Sequence, residues 1–174
     1  MSFIQGFQVR ERLYESKYSI VLRAIRDNDE LPVVIKILKN DYPSTAELAR
    51  YRWEFEITQS LELTGVIRSY ELRRHEKTLL ILFEDFGAMS VADLLSDRQL
   101  SLDEFIETAI QVTTALGRLH SAHIIHKDIN PSNLVINPST GEVKIIDFGI
   151  STRSSKERPV TKAPEVLEGT LPYM

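Results

Sequence analysis

The sequence predicts an α+β fold: a β-rich first half carrying one helix, a short connector, and a more helical second part. Three observations predict it. Runs of mixed apolar and polar residues recur up to Phe83, separated by polar turn clusters, as half-buried strands are. Two segments open on Ser-x-x-Glu, the spacing of a capping box. Behind each box apolar residues step by three and four, the mark of one helix face.

Phe7 to Leu13 and Ser19 to Arg26 read as the first two strands, with Asp27-Asn28-Asp29-Glu30 as a polar turn. Pro32 leads into Val33-Val34-Ile35-Lys36-Ile37-Leu38, a β-branched run interrupted by one lysine. Ser44 and Glu47 start a helix along Leu48, Tyr51, Phe55 and Thr58, and Gly65 is expected to end that segment. Val66 to Arg73 and Thr78 to Phe83 make two more strands around His75-Glu76-Lys77. Ser101 and Glu104 open the second helix, whose stripe is Leu102, Phe105, Ala109, Val112, Leu116 and Leu119. Leu134-Val135-Ile136 and Val143-Lys144-Ile145-Ile146 flank a turn, and from Ile150 onward the pattern is that of a loop.

Composition bounds the function. At 43% hydrophobic and 26% charged the chain reads as a globular protein rather than a disordered one. A net charge of −4, from 21 basic and 25 acidic side chains, leaves no global basic field, so no nucleic-acid partner is expected. The absence of cysteine excludes disulfides and thiolate metal sites and fits a cytoplasmic setting. Leu79 to Phe83 is the longest apolar run, far below the roughly 20 residues of a membrane helix, so no membrane insertion is expected. Met1 to Gly6 lacks a signal-peptide layout and reads as a natural start, whereas Leu171 to Met174 breaks off within an ordered pattern.

The chemistry concentrates in His126-Lys127-Asp128-Ile129-Asn130-Pro131-Ser132-Asn133, followed by Asp147-Phe148-Gly149. Asp128 can accept a hydroxyl proton, and Asn133 with Asp147 offers the oxygen ligands that Mg²⁺ prefers. The competing reading of Asp128 is a turn aspartate capping local amides. Lys36 sits inside an apolar strand, where an unpaired ammonium is costly, so it calls for an anionic partner unless its strand lies at an edge. His126 reads as a hydrogen-bonded structural residue, and no zinc site forms from His75, His120 and His123.

The two motifs resemble the catalytic loop and metal-binding loop of protein kinases, H-R-D-x-x-x-x-N and D-F-G. The resemblance implies a two-lobed protein-kinase-like fold: an N-lobe antiparallel sheet plus one helix over residues 1–83, a hinge over 84–90, and an incomplete helical C-lobe over 91–174 with an activation segment from 147. It implies ATP and Mg²⁺ as cofactors and a protein substrate. Lys36 would position phosphates, and Glu54 would hold Lys36. Glu56 is the alternative, but it lies about 200° further round the helix, so only one of the two can face the lysine. Leu13, Val21, Glu84 and Phe86 would surround the nucleotide, Asp128 would be the catalytic base, and Asn133 and Asp147 would hold the metal. Ser151, Thr152, Ser154, Ser155 and Thr161 become candidate phosphorylation sites.

The chain departs from the pattern in four places. The phosphate-covering loop aligns with Tyr14 to Val21, where no glycine remains. Lys127 replaces the arginine of H-R-D, and Asn130 stands where serine/threonine kinases usually carry lysine. Gly169-Thr170 resembles the segment before A-P-E, which implies that Thr170 hydrogen-bonds the catalytic aspartate and that the chain stops short of that motif, and Ala163-Pro164-Glu165 reads as a coincidence. Gly65-Val66-Ile67, Glu84 to Gly87, His126 to Asn133 and Leu167 to Leu171 together are similar to the kinase domain that opens large bacterial hybrid signalling proteins. That similarity implies downstream signalling modules as partners. A nucleotide-binding scaffold without turnover and a small-molecule kinase are the competing readings.

Overall fold

The computed structural model describes residues 4–153 and 169–173, and these fall into two compact units. The first comprises residues up to 60 and 67–86; the second comprises 61–66 and 87 onward. The expected first lobe, 1–83, therefore differs at 61–66, which pack within the second unit.

The first unit is an antiparallel five-stranded sheet of β1 (Phe7–Glu15), β2 (Ser19–Arg26), β3 (Pro32–Leu38), β4 (Ser69–His75) and β5 (Thr78–Glu84), in the order β1-β2-β3-β5-β4. Alternation along β3 sorts its side chains by face. Val33, Ile35 and Ile37 join Phe7, Leu22, Ala24, Leu80 and Leu82 in a core on one side, leaving Lys36 on the other. Lys36 lies on a central strand, which removes the edge-strand reading. Helix α1 (Thr45–Ser60) follows β3. Its capping box is present: Glu47 N donates to Ser44 Oγ, and Glu47 Oε2 accepts from Ser44 N.

Two boundaries move. Helix α1 ends at Ser60, not at Gly65, and β4 begins at Ser69 rather than Val66. Gly65 serves a different purpose. At φ +87° its missing side chain admits Ala115, whose Cβ stands 2.7 Å from where a Gly65 Cβ would be. The adjacent Val66 then forms a parallel bridge with Ile145.

The second unit contains β6 (Met89–Ser90), α2 (Val91–Asp97), α3 (Leu102–Ser121), β7 (Ile124–Ile125), β8 (Leu134–Ile136), β9 (Val143–Ile145) and β10 (Thr152–Arg153). Strands β6, β8 and β9 form one sheet, β7 and β10 another. Val91, Leu94, Ile136 and Val143 make a core cluster. The capping box at the head of α3 joins Ser101 and Glu104, and the Arg98 guanidinium and then the Ser101 amide lower the Glu104 carboxyl to about 2.

The buried line of α3 runs through Thr108, Ala115 and Leu119, not through the whole predicted stripe. Leu102 and Phe105 are 71% and 59% exposed, and Ile106 and Ile110 extend that apolar strip. No described helix is long and apolar enough to cross a membrane. The expected loop after Ile150 begins with β10 paired to β7; Ala163-Pro164-Glu165 and the sites Ser154, Ser155 and Thr161 lie outside the described residues.

Candidate functional site

In the first unit, the β3 register sets Lys36 directly between Val21 of β2 and Ile81 of β5. Facing side chains in antiparallel pairs share a face, so Val21 and Lys36 lie together. Lys36 Nζ donates to both oxygens of Glu54 at 2.8 Å, with side chains 15% and 2% exposed. The ammonium also stands 5.6 Å from the centre of the Tyr51 ring. Tyr51, Glu54 and Thr58 form the buried face of α1, and Glu56 is exposed. The structure thus selects Glu54 of the two glutamates, and Leu48 and Phe55 of the expected stripe are only half-buried.

Leu13 is half-buried beside a register shift in β1, between Arg12 and Tyr14. The turn after it is closed on itself. Ser16 Oγ accepts the amides of Tyr18 and Ser19 at 3.1 and 3.0 Å, and Ser16 N donates to Ser19 O at 2.9 Å. Lys39 Nζ pins the turn from the side through Glu15 Oε1 and Ser16 O. At the other end of the unit, Glu84 N donates to Arg68 O, and its carboxylate accepts from Arg68 N at 2.9 Å. Phe86 is half-buried beyond it, and Asp85 pairs with Arg23 at 2.8 Å.

The second unit assembles the other candidates around His126, which is 2% exposed. Its Nδ1 accepts from Asp128 N at 3.3 Å, so Nε2 carries the proton and donates to Ile146 O at 2.9 Å. Phe148, fully buried, packs edge-on against the ring with centroids 4.7 Å apart. Burial depresses the imidazole pKa, outweighing the Ile146 carbonyl and the charges of Asp147 and Asp128. The neutral ring is therefore the folded form, and His126 acts as a brace.

The sign of its pH effect follows. The unfolded imidazole takes up a proton near pH 6.5, before the folded one does, so stability falls as pH drops below that value. A urea series from pH 7.5 to 5 should show the midpoint falling, and His126→Gln should flatten that fall. An equal slope in the variant refutes the assignment.

Asp128 follows Lys127, a non-glycine residue at φ +72°. Its carboxylate accepts three hydrogen bonds. Thr170 N reaches Oδ1 at 2.9 Å, Asn130 Nδ2 reaches Oδ1 at 3.1 Å, and Asn133 Nδ2 reaches Oδ2 at 2.9 Å. Asn133 also donates to Asp128 O, and these two bonds orient its amide so that Oδ1 is left as the ligand atom. Ile146 N donates to Asn133 O at 3.0 Å, which sets Asp147 one residue from the Asn133 backbone. Asp147 stands at φ +63°, a conformation Asp tolerates better than most residues, with Gly149 N close to its Oδ1 at 3.4 Å.

Within the second unit, then, Asp128, Asn133 and Asp147 are brought together; within the first, Lys36 joins Glu54. The donor set suits a hard cation, since a carboxylate and an amide oxygen are typical Mg²⁺ ligands when phosphates supply the rest. Ser151, a candidate modification site, is instead buried, and its hydroxyl donates to Phe148 O at 2.7 Å. The roles of Ser16 and Asn130 in these networks were not read from the sequence, whereas a bond from Thr170 to Asp128 is what the resemblance implies for that threonine. Asn130-Pro131 did carry a sign, an N-cap residue before a first-turn proline.

Residues 7–174 match the family described as the protein kinase domain. The chain belongs to that family. Among relatives of this kinase domain, serine/threonine-protein kinase 4 homolog A of Dictyostelium discoideum is 30% identical over 173 residues, covering 93% of the chain and 36% of that protein. Serine/threonine-protein kinase PrkC of Bacillus subtilis is 30% identical, covering 82% of the chain and 22% of that protein. PknA of Mycobacterium tuberculosis is 31% identical, covering 82% and 34%. The kinase chain thus spans about a fifth to a third of the length of these three curated relatives.

Proposed function

We propose that this kinase domain transfers the γ-phosphoryl group of Mg·ATP to a serine or threonine hydroxyl of a protein. The observation that carries the reading is the Asp128 carboxylate, held by three donors beside Asn133 and one strand-end from Asp147. A carboxylate so restrained presents one orientation to an incoming hydroxyl, which is the positioning that phosphoryl transfer needs. The acceptor oxygen forms its bond to phosphorus as the bond to the β-phosphate oxygen breaks. The acceptor proton passes to Asp128, and ADP leaves. Asn133 Oδ1 and Asp147 would hold Mg²⁺, which neutralises phosphate charge when bound. Lys36, fixed by Glu54, would contact the phosphates, with Leu13, Val21, Glu84 and Phe86 around the nucleoside.

Lys127 and Asn130 support the finer assignment to the kinase module of bacterial hybrid signalling proteins, whose partners would be its own downstream modules. One observation favours a scaffold without turnover. The Ser16-capped turn has already committed the Tyr18 and Ser19 amides that a glycine loop would offer to phosphate.

A titration of the natural full-length protein with ATP, with and without Mg²⁺, followed by transfer from γ-labelled ATP, separates the readings. Metal-dependent thermal stabilisation together with label on protein is expected. Stabilisation without label would leave the scaffold, and neither would sink the nucleotide site.

A further inference from the structure

The side chain of Asn130 links three parts of the candidate site, and it is 5% exposed. Its Nδ2 donates to Asp128 Oδ1 at 3.1 Å and to Thr170 Oγ1 at 3.2 Å, with Asp128 O a longer contact at 3.4 Å. Its Oδ1 accepts from Ser132 N at 2.9 Å, capping the short 3₁₀ turn Pro131–Asn133 that delivers Asn133. Thr170 lies forty residues away in sequence, yet its amide meets the same oxygen, Asp128 Oδ1. One amide therefore fixes the carboxylate, the returning segment and the turn bearing the second metal-ligand candidate.

We propose that Asn130 is the positioning residue of this site, setting the orientation of the Asp128 carboxylate and locking it to Thr170. The inference rests on the phosphoryl-transfer reading and adds a division of labour. The chain holds Asp128 with a neutral amide and places no cation at that position. A lysine there has no acceptor for the Ser132 amide and cannot both cap the turn and restrain the carboxylate. Aspartate provides the complementary test. It caps a helical turn as well as asparagine, so it keeps the bond from Ser132 N, but it replaces the donor with an anion facing Asp128.

The experiment measures kcat and KM for ATP in the natural full-length protein and in Asn130→Asp, Asn130→Ala and Thr170→Val. Asn130→Asp keeps the turn capped but sets a second carboxylate against Asp128 in a buried site, so its thermal midpoint should fall, and kcat is compared at a temperature where the variant is folded. Its kcat should fall about 100-fold, the scale of an ångström-level misplacement, while KM for ATP changes little. Thr170→Val should cost less, and the double variant Asn130→Ala, Thr170→Val, measured beside the singles, should lose less than the sum of the two, because both remove the same bond. Parent-like kcat in Asn130→Asp overturns the proposal alone. A parent protein with no transfer activity sinks the kinase reading, and this inference with it.

Discussion

Replacing Asp147 by alanine is expected to abolish the Mg²⁺-dependent part of ATP binding, a loss of at least about 100-fold, or about 2.8 kcal/mol. Asn133 contributes only a neutral oxygen, so a cation here depends on carboxylate charge from Asp147, with phosphate oxygens completing the shell. The substitution also touches the backbone. At φ +63° alanine sits in the left-handed region, at a cost of about 1–2 kcal/mol that aspartate partly escapes. Asp147→Asn removes that ambiguity, because it tolerates the same backbone and keeps an oxygen facing Gly149 N. Titrations of ATP with and without Mg²⁺ in both variants should converge on the metal-free affinity. Unchanged metal dependence in the asparagine variant would falsify the ligand assignment.

How much of this was legible depended on whether the cause was local. β5 was readable as a continuous apolar run, buried from Leu80 to Phe83, and β3 shows why Lys36 stood out: it occupies the face opposite Val33, Ile35 and Ile37. Glu54 was preferred to Glu56 on the resemblance alone, since the predicted stripe ran through Phe55, and it is the structure that places Glu54 on the buried face with Tyr51, Ile57 and Thr58. Helix α2 escaped because its seven residues are too few to establish a period; its one sign was Ser90, which caps Asp93 N. Gly65 looked like a helix stop, yet its use is the close approach to Ala115, fifty residues on. The Asn130–Thr170 contact and the burial of Ser151 are likewise products of tertiary packing that no local spacing encodes. The closed turn at Ser16 could have been suspected, since a serine hydroxyl there can accept the amides that glycines would have left open.

Removing the ammonium from Lys36 should unfold more than it inactivates. Glu54 is 2% exposed and both of its oxygens accept from Lys36 at 2.8 Å, so Lys36→Met takes these two bonds and the paired charge from a desolvated carboxylate. Breaking a buried pair from one side typically costs about 3–5 kcal/mol, a large share of the roughly 5–15 kcal/mol that holds a domain together. Glu54→Leu leaves the milder defect, because Lys36 is 15% exposed and retains the Tyr51 ring 5.6 Å away. The double variant Lys36→Met, Glu54→Leu removes both charges and should recover most of the lost stability, since apolar replacement of a whole buried pair is often neutral. Denaturant unfolding followed at Trp53, the chain's one tryptophan and the neighbour of Glu54 in α1, reads all three. The ordering matters more than any single value: Lys36→Met least stable, Glu54→Leu between, the double variant nearest the parent. If Lys36→Met unfolds within about 1 kcal/mol of the parent, the pair is not the desolvated contact described, and Lys36 would be held for its charge alone. If instead the double variant is as unstable as Lys36→Met, the cost lies in packing around Tyr51 and Thr58 rather than in the lost charge pairing of Glu54.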